Sequence, residues 1–238
     1  MNKEQLLYEG KAKRLYQTDQ EGVLWIEYKD SATAFNGEKK EEIAGKGVLN
    51  NLITSLLFDK LRAEGIESHF IEKLSDHEQL VKAVEIIPIE VVVRSTAAGS
   101  LSKRLGLTEG EKLPKTIVEW YYKDDDLGDP LINEDHIEVL GLASQDELTL
   151  LKEKALQVNG VLTGFFEEIG LDLIDFKLEF GRDTNGAILL ADEISPDTCR
   201  LWDIKTGEKM DKDVFRRNLG SLTEAYEKVL NRLGGVQS

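Results

Sequence analysis

The segment Asp175-Phe176-Lys177-Leu178-Glu179-Phe180-Gly181 constrains this chain most, because charged and apolar residues alternate in it without a break. A period of two fits only a β-strand, so Asp175, Lys177 and Glu179 share one face while Phe176, Leu178 and Phe180 pack behind them. An ordinary half-exposed strand also carries such a face. A functional reading gains weight from Leu189-Leu190-Ala191-Asp192-Glu193-Ile194-Ser195-Pro196-Asp197, a second apolar run ending in carboxylates. Asn185-Gly186 lies between the two runs and is a strong hairpin signal, which lets Asp192 face Glu179. Two carboxylates on neighbouring strands repel one another unless a cation joins them, and magnesium commonly takes one or two protein carboxylates.

The remaining pattern gives an α+β chain. Strands are expected at Lys13 to Tyr16 and Val23 to Tyr28, from Ile86 to Val93, from Lys115 to Lys123, from Leu171 to Phe180 and from Ala187 to Ile194. Leu49, Leu52, Ile53, Leu56, Leu57 and Leu61 recur at helical spacing before Gly65. Ser144 and Glu147 form a capping box ahead of a helix through Leu148, Leu151, Ala155, Val158, Leu162 and Ile169. A last helix, capped by Asp211, is expected to run through Phe215, Leu219, Tyr226, Val229 and Leu233. Residues 76–85 are polar and charged, so two lobes are placed at 1–84, β-rich with one helix, and at 85–238, with a cleft between them.

The 238 residues carry a net charge of −15, from 45 acidic and 30 basic side chains, which disfavours nucleic acid and anionic membranes as partners. An anionic small molecule then needs a local concentration of lysine and arginine. Cys199 is the single cysteine, so an internal disulfide is excluded and a reducing compartment fits. The start lacks an apolar signal core and no run is long enough to span a membrane, so the chain is expected to be cytoplasmic.

Three segments meet the need for local positive charge. In Gly10-Lys11-Ala12-Lys13 the glycine lets the backbone approach a ligand, and two lysines two residues apart suit a polyphosphate; an edge strand guarded by lysine is the alternative. In Arg94-Ser95-Thr96-Ala97-Ala98-Gly99-Ser100 small residues follow a buried strand, and Arg94 with Ser100 suits a phosphate monoester; a plain strand-to-helix turn is the alternative. Arg200 follows a proline-containing loop and adds either a phosphate contact or a surface ion pair. The run Asp124-Asp125-Asp126 reads as a solvated turn, and His69, His77 and His136 lack metal spacing.

Taken together, Glu90-Val91-Val92-Val93-Arg94 with Ala98-Gly99-Ser100, Ile174 to Gly181, Asp192-Glu193 with Ser195-Pro196-Asp197 through Asp203, and the opening Gly10 to Lys13 resemble the signatures of the SAICAR synthetase family over essentially the whole chain. The resemblance implies a two-lobed, kinase-like or ATP-grasp-like fold with antiparallel sheets, ATP and Mg2+ in the interlobe cleft, and a homodimer. It implies condensation of carboxyaminoimidazole ribonucleotide with L-aspartate, driven by ATP through a phosphorylated carboxylate. Gly10, Lys11, Ala12, Lys13 and Lys177 would then meet ATP, and Glu179 and Asp192 would hold magnesium. Lys177 would stabilise charge during transfer, with Asp175 orienting. Arg94, Ser100, Arg200, Asp197 and Asn36 would contact the substrate; Asn36 stands where many relatives carry aspartate. A small-molecule or protein kinase and a non-catalytic nucleotide-binding module are the competing readings, although H-R-D and D-F-G are missing.

Overall fold

The computed structural model describes residues 1–34 and 37–234. Its first sheet is antiparallel and begins with β1 (Lys3–Glu9), β2 (Lys13–Thr18) and β3 (Val23–Tyr28). A separate hairpin, β4 (Ser31–Ala34) and β5 (Lys39–Glu42), leads into helix α1 (Lys46–Ala63), after which β6 (Phe70–Lys73) and β7 (Glu78–Lys82) complete the sheet in the order β1-β2-β3-β7-β6. The polar stretch expected to connect the lobes therefore contains a strand. Gln79 is buried within it and its Nε2 donates to the Tyr28 hydroxyl at 3.3 Å, while its Oε1 finds no partner among the described residues, so a polar residue there marks an interior strand rather than a loop.

The second sheet comprises β8 (Glu85–Ile86), β9 (Ile89–Thr96), β10 (Lys112–Tyr122), β11 (Leu131–Ile132), β12 (Leu171–Arg182), β13 (Ile188–Ala191) and β14 (Cys199–Asp203). The strand expected from Ile86 to Val93 is two strands. Pro88 supplies no N–H, and the chain changes partners there, β8 pairing with the end of β12 and β9 with its middle. The central β12 pairs with β14 over its first half, with β9 over its middle and with β13 and β8 over its last residues. Between β9 and β10 lies α2 (Gly99–Leu105), and between β11 and β12 lie α3 (Glu134–Leu140) and α4 (Gln145–Glu168).

The single terminal helix expected from Asp211 is instead α5 (Asp213–Arg216) and α6 (Leu222–Arg232). The break falls where Asn218 and Gly220 take φ of 54° and 152°, conformations that a continuing helix does not allow. Leu219, assigned to the apolar face, is left exposed, and Ser221 starts α6 by accepting from Glu224 N. The apolar faces of α1, α4 and α6 close on one core with the second sheet, through Ile53, Leu57, Leu151, Val158, Tyr226 and Phe176. A smaller cluster of Ile26, Tyr28 and Val81 underlies the first sheet.

The capping box of α4 forms as expected, with Ser144 Oγ accepting from Glu147 N and Glu147 Oε2 accepting from Ser144 N at 2.8 Å. Arg182, at the end of β12, donates to Glu147 Oε1 at 2.6 Å and ties the helix start to the sheet. That bond, working against partial burial, holds the Glu147 carboxyl down at about 2. A carboxyl depressed by folding adds stability above its unfolded value and loses it as pH falls towards the folded one. Glu147→Gln is therefore less stable than the parent near neutrality, and the gap between their urea midpoints closes as pH falls from about 5 to about 2.

Candidate functional site

The polar face of β12 works as a ruler, since Asp175, Lys177 and Glu179 lie along roughly 13 Å of strand. At its centre Lys177 Nζ donates to Glu179 Oε1 at 2.6 Å and to Glu90 Oε1 at 3.1 Å, and stands 3.6 Å from Asp192 Oδ2. Lys123, from the end of β10, donates to Glu179 Oε1 at 3.0 Å. Across from them Lys13 on β2 pairs with Asp192 and, at 3.0 Å, with Glu193. Lys11 meets Asp125 at 2.7 Å, so one carboxylate of the acidic turn faces the first sheet as well as solvent. Asp192 can face Lys13 and Lys177 together because β13 ends just before it, at a φ of 59°.

These charges sustain one another. Burial opposes the charge on Lys177, but Glu179, Asp192 and Glu90 outweigh it and hold the ammonium well above the usual lysine range. Burial likewise opposes Lys13, and Asp192 and Glu193 prevail. In return Lys13 and Lys177 overcome burial of Asp192 and hold its carboxyl below the usual range. His69 goes the other way. Burial brings it down to about 4, so it is neutral at pH 7, and its Nε2 donates to the Asp192 carbonyl at 3.1 Å, which helps set the turn.

The cluster lines a cleft of about 630 Å³ between the two sheets. One end is apolar, with Leu15, Leu24 and Ile26 from the first sheet opposite Val84 and Ile86. The middle holds Gly10, Lys11, Ala12 and Lys13 facing Lys123, Lys177, Glu179 and Asp192, and the far end holds Asp197, Thr198 and Lys212. An apolar slot followed by four ammonium groups and a carboxylate pair has the chemistry to suit a flat hydrophobic group bearing several phosphates.

Among the described residues no group of three or more His, Cys, Asp or Glu side chains forms a metal cage. Glu179 and Asp192, both within reach of one ammonium group, nevertheless fit magnesium. That ion needs only one or two carboxylates when phosphate oxygens and water complete its shell.

Beyond Asp175 lies a second cluster, rich in guanidinium groups. The Asp175 carboxylate is buried between two guanidinium groups, pairing with Arg94 and with Arg200 Nη1 at 2.9 and 3.0 Å. Arg94 also donates to Glu119 at 2.7 Å and to Ser100 Oγ at 3.1 Å, and Arg104 joins the Tyr121 hydroxyl at 2.6 Å. Arg200 reaches this place over Gly99, where a Cβ would come within 2.4 Å of Nη2, at a φ of 53°. Because Asp175 and Asp213 hold the guanidinium, it has little room to give. Gly99→Ala is expected to lower stability by about 1–3 kcal/mol, read as a fall in the denaturation midpoint.

Lys11, Lys13, Lys177, Glu179, Asp192 and Asp197 are thus brought to one cleft, and Arg94, Ser100, Arg200 and Asp175 to the adjoining cluster. Asn36 lies outside the described residues. Glu90, Lys123, Glu193 and Lys212 were not singled out from the sequence. Lys123 ends an exposed-looking strand and Lys212 sits in a polar stretch, so neither carries a local signal; only the adjacency of Glu193 to Asp192 hinted at its place.

The SAICAR synthetase family model matches residues 6–233. A phosphoribosylaminoimidazole-succinocarboxamide synthase of Anoxybacillus flavithermus is 65% identical over 236 residues, covering 99% of this chain and 98% of the relative. Among solved structures, the enzyme of that name from Ehrlichia chaffeensis is 45% identical with a TM-score of 0.95, covering 98% of this chain and all of the other. A SAICAR synthetase solved with ADP is 50% identical with a TM-score of 0.94, over 97% and 98% of the two chains.

Proposed function

Because the chain belongs to the SAICAR synthetase family, we propose that its two adjoining clusters divide the work of one ligase, the cleft taking ATP and the arginine pair taking the ribonucleotide phosphate. The protein is an ATP-dependent carbon–nitrogen ligase of purine biosynthesis, joining carboxyaminoimidazole ribonucleotide to L-aspartate with release of ADP and phosphate. The observation that carries the division of labour is β12, whose single face sets Glu179 and Lys177 in the cleft and Asp175 against both arginines.

In this reading residues 1–84 form the lobe that covers the nucleotide, with Leu15, Leu24 and Ile26 on the adenine and Lys11 and Lys13 on its phosphates. Residues 85–238 form the lobe that holds metal and ribonucleotide. Glu179 and Asp192 hold magnesium, which neutralises phosphate charge when bound. The substrate carboxylate already bears its nucleophilic charge, so no base is needed for its attack on phosphorus. Lys177 and Lys123 offset charge as the oxygen–phosphorus bond forms and the bond to the ADP oxygen breaks. Arg94, Arg200 and Ser100 bind the ribonucleotide phosphate, and Arg94, through its bonds to Glu119, Asp175, Ser100 and Tyr121, also holds that pocket in shape. Asp197 and Asn36 complete the substrate contacts.

A cytoplasmic homodimer belongs to the same reading, supported by the family resemblance; sedimentation of the purified chain tests the assembly. No helix among the described residues is long and apolar enough to cross a membrane. Omitting substrates one at a time tests the function. ADP should form only when the imidazole carboxylate is present, and the amide only when L-aspartate is present too; equal phosphate release without the imidazole nucleotide would sink the assignment.

A further inference from the structure

At the far end of the cleft one buried carboxylate serves two ammonium groups. Asp197 Oδ2 accepts from Lys46 Nζ at 2.6 Å and from Lys212 Nζ at 3.4 Å, while the Tyr226 hydroxyl donates to Oδ1. Asp197 and Lys212 line the cleft, and Lys46 approaches from behind its wall with no exposed surface. Lys46 is also held in place. It is the first residue of α1, and the flanking Gly45 and Gly47 amides donate to Asp30 at 3.1 and 2.8 Å. Gly47 lies so close to the Tyr28 carbonyl that a Cβ would approach it to 2.9 Å. The fixed partner takes the carboxylate. Lys212 keeps one bond, longer than the roughly 2.7–2.9 Å of a strong charge-assisted contact.

We propose that Lys212 is the catalytic group that accepts a proton from the L-aspartate ammonium so that its amine can attack, and that Lys46 is the positioning residue that leaves it free to do so. The inference rests on the ligase function above. In the step, the amine nitrogen bonds to the carbon of the phosphorylated carboxylate, the carbon–oxygen bond to phosphate breaks, and phosphate leaves with the electron pair. Lys212 Nζ takes the proton that the L-aspartate ammonium must lose before this attack and later yields it to solvent, and the surplus proton left on nitrogen departs with the phosphate. Burial is the main cause that draws the Lys212 ammonium below the usual lysine range; Lys46 on α1 and Arg216 on α5 add to it, against Asp197 and Glu193 from the loop after β13. Tyr226 on α6 faces the same carboxylate and stays protonated, since burial and Asp197 hold its hydroxyl well above the usual range. Lys212 differs in this from Lys13, Lys123 and Lys177, which the cleft carboxylates hold above the usual range.

The test compares Lys212→Met, Lys212→Arg and Lys46→Met with two nucleophiles, L-aspartate and hydroxylamine. Hydroxylamine is uncharged near neutral pH and attacks without prior loss of a proton. Both Lys212 variants should lose about 10²–10⁴-fold in turnover with L-aspartate and keep most of it with hydroxylamine. Arginine restores the charge but cannot act as a base, so it should rescue nothing. In Lys46→Met, Asp197 closes on Lys212, and the acid limb of the kcat/KM profile should move to higher pH. Equal losses with both nucleophiles, or rescue by arginine, overturn the proton-transfer role, and an unmoved limb overturns that of Lys46. If Lys46→Met does not fold, the Lys212 pair decides alone. Failure of the ligase function shows separately, as a parent enzyme whose ADP release ignores the imidazole nucleotide.

Discussion

Lys177→Met lowers kcat by about 10²–10³-fold, the loss typical of removing one preorganised charge from a developing transition state. The methionine keeps most of the length of the side chain, so packing along β12 changes little, but the ammonium that joins Glu90, Glu179 and Asp192 is gone. The carboxylates then repel across the gap. Added Mg2+ should consequently raise the melting temperature of the variant more than that of the parent, because the ion replaces part of the missing charge. Steady-state kinetics and thermal scans with and without Mg2+ check both effects, and undiminished turnover would remove Lys177 from phosphoryl transfer.

Asp175→Asn costs about 3–5 kcal/mol of stability, because two guanidinium groups lose the one carboxylate that lies between them. Glu119 still pairs with Arg94 and Asp213 with Arg200, so the fold is weakened rather than lost. Arg200 is freed from its bidentate partner, and the ribonucleotide KM should rise more than kcat falls. Denaturant unfolding and substrate titration measure the two parts. A collapse of kcat at unchanged stability would make Asp175 a reacting base instead of an orienting group.

The parts of this protein legible in its sequence are those whose cause is local. Alternation from Asp175 to Gly181, the Asn185-Gly186 turn, the apolar period of α1 and the Ser144 capping box each specify their own geometry, and each appears where expected. Local cues misled where a distant partner decided the outcome. Glu78 to Lys82 is polar by composition, yet β3 and β6 draw it into the middle of a sheet. The Ile86 to Val93 run is apolar apart from Glu90, and only the exchange of β12 partners shows that Pro88 divides it. The expected terminal helix kept its apolar period through Leu219, but Asn218 and Gly220 leave the helical region and turn α6 onto α1.

The same division runs through the site. Sequence by itself determined which residue types had to work together: paired lysines for phosphates, two carboxylates for a cation, and arginines beside a serine for a phosphate ester. Tertiary structure alone decided their partners, setting Lys13 against Asp192, placing Asp175 between Arg94 and Arg200, and sending Lys46 through the wall to reach Asp197. The reason is physical, for a side chain's chemistry is intrinsic to it. The strength and direction of that chemistry in a buried, poorly screened place depend on charges brought near from far along the chain.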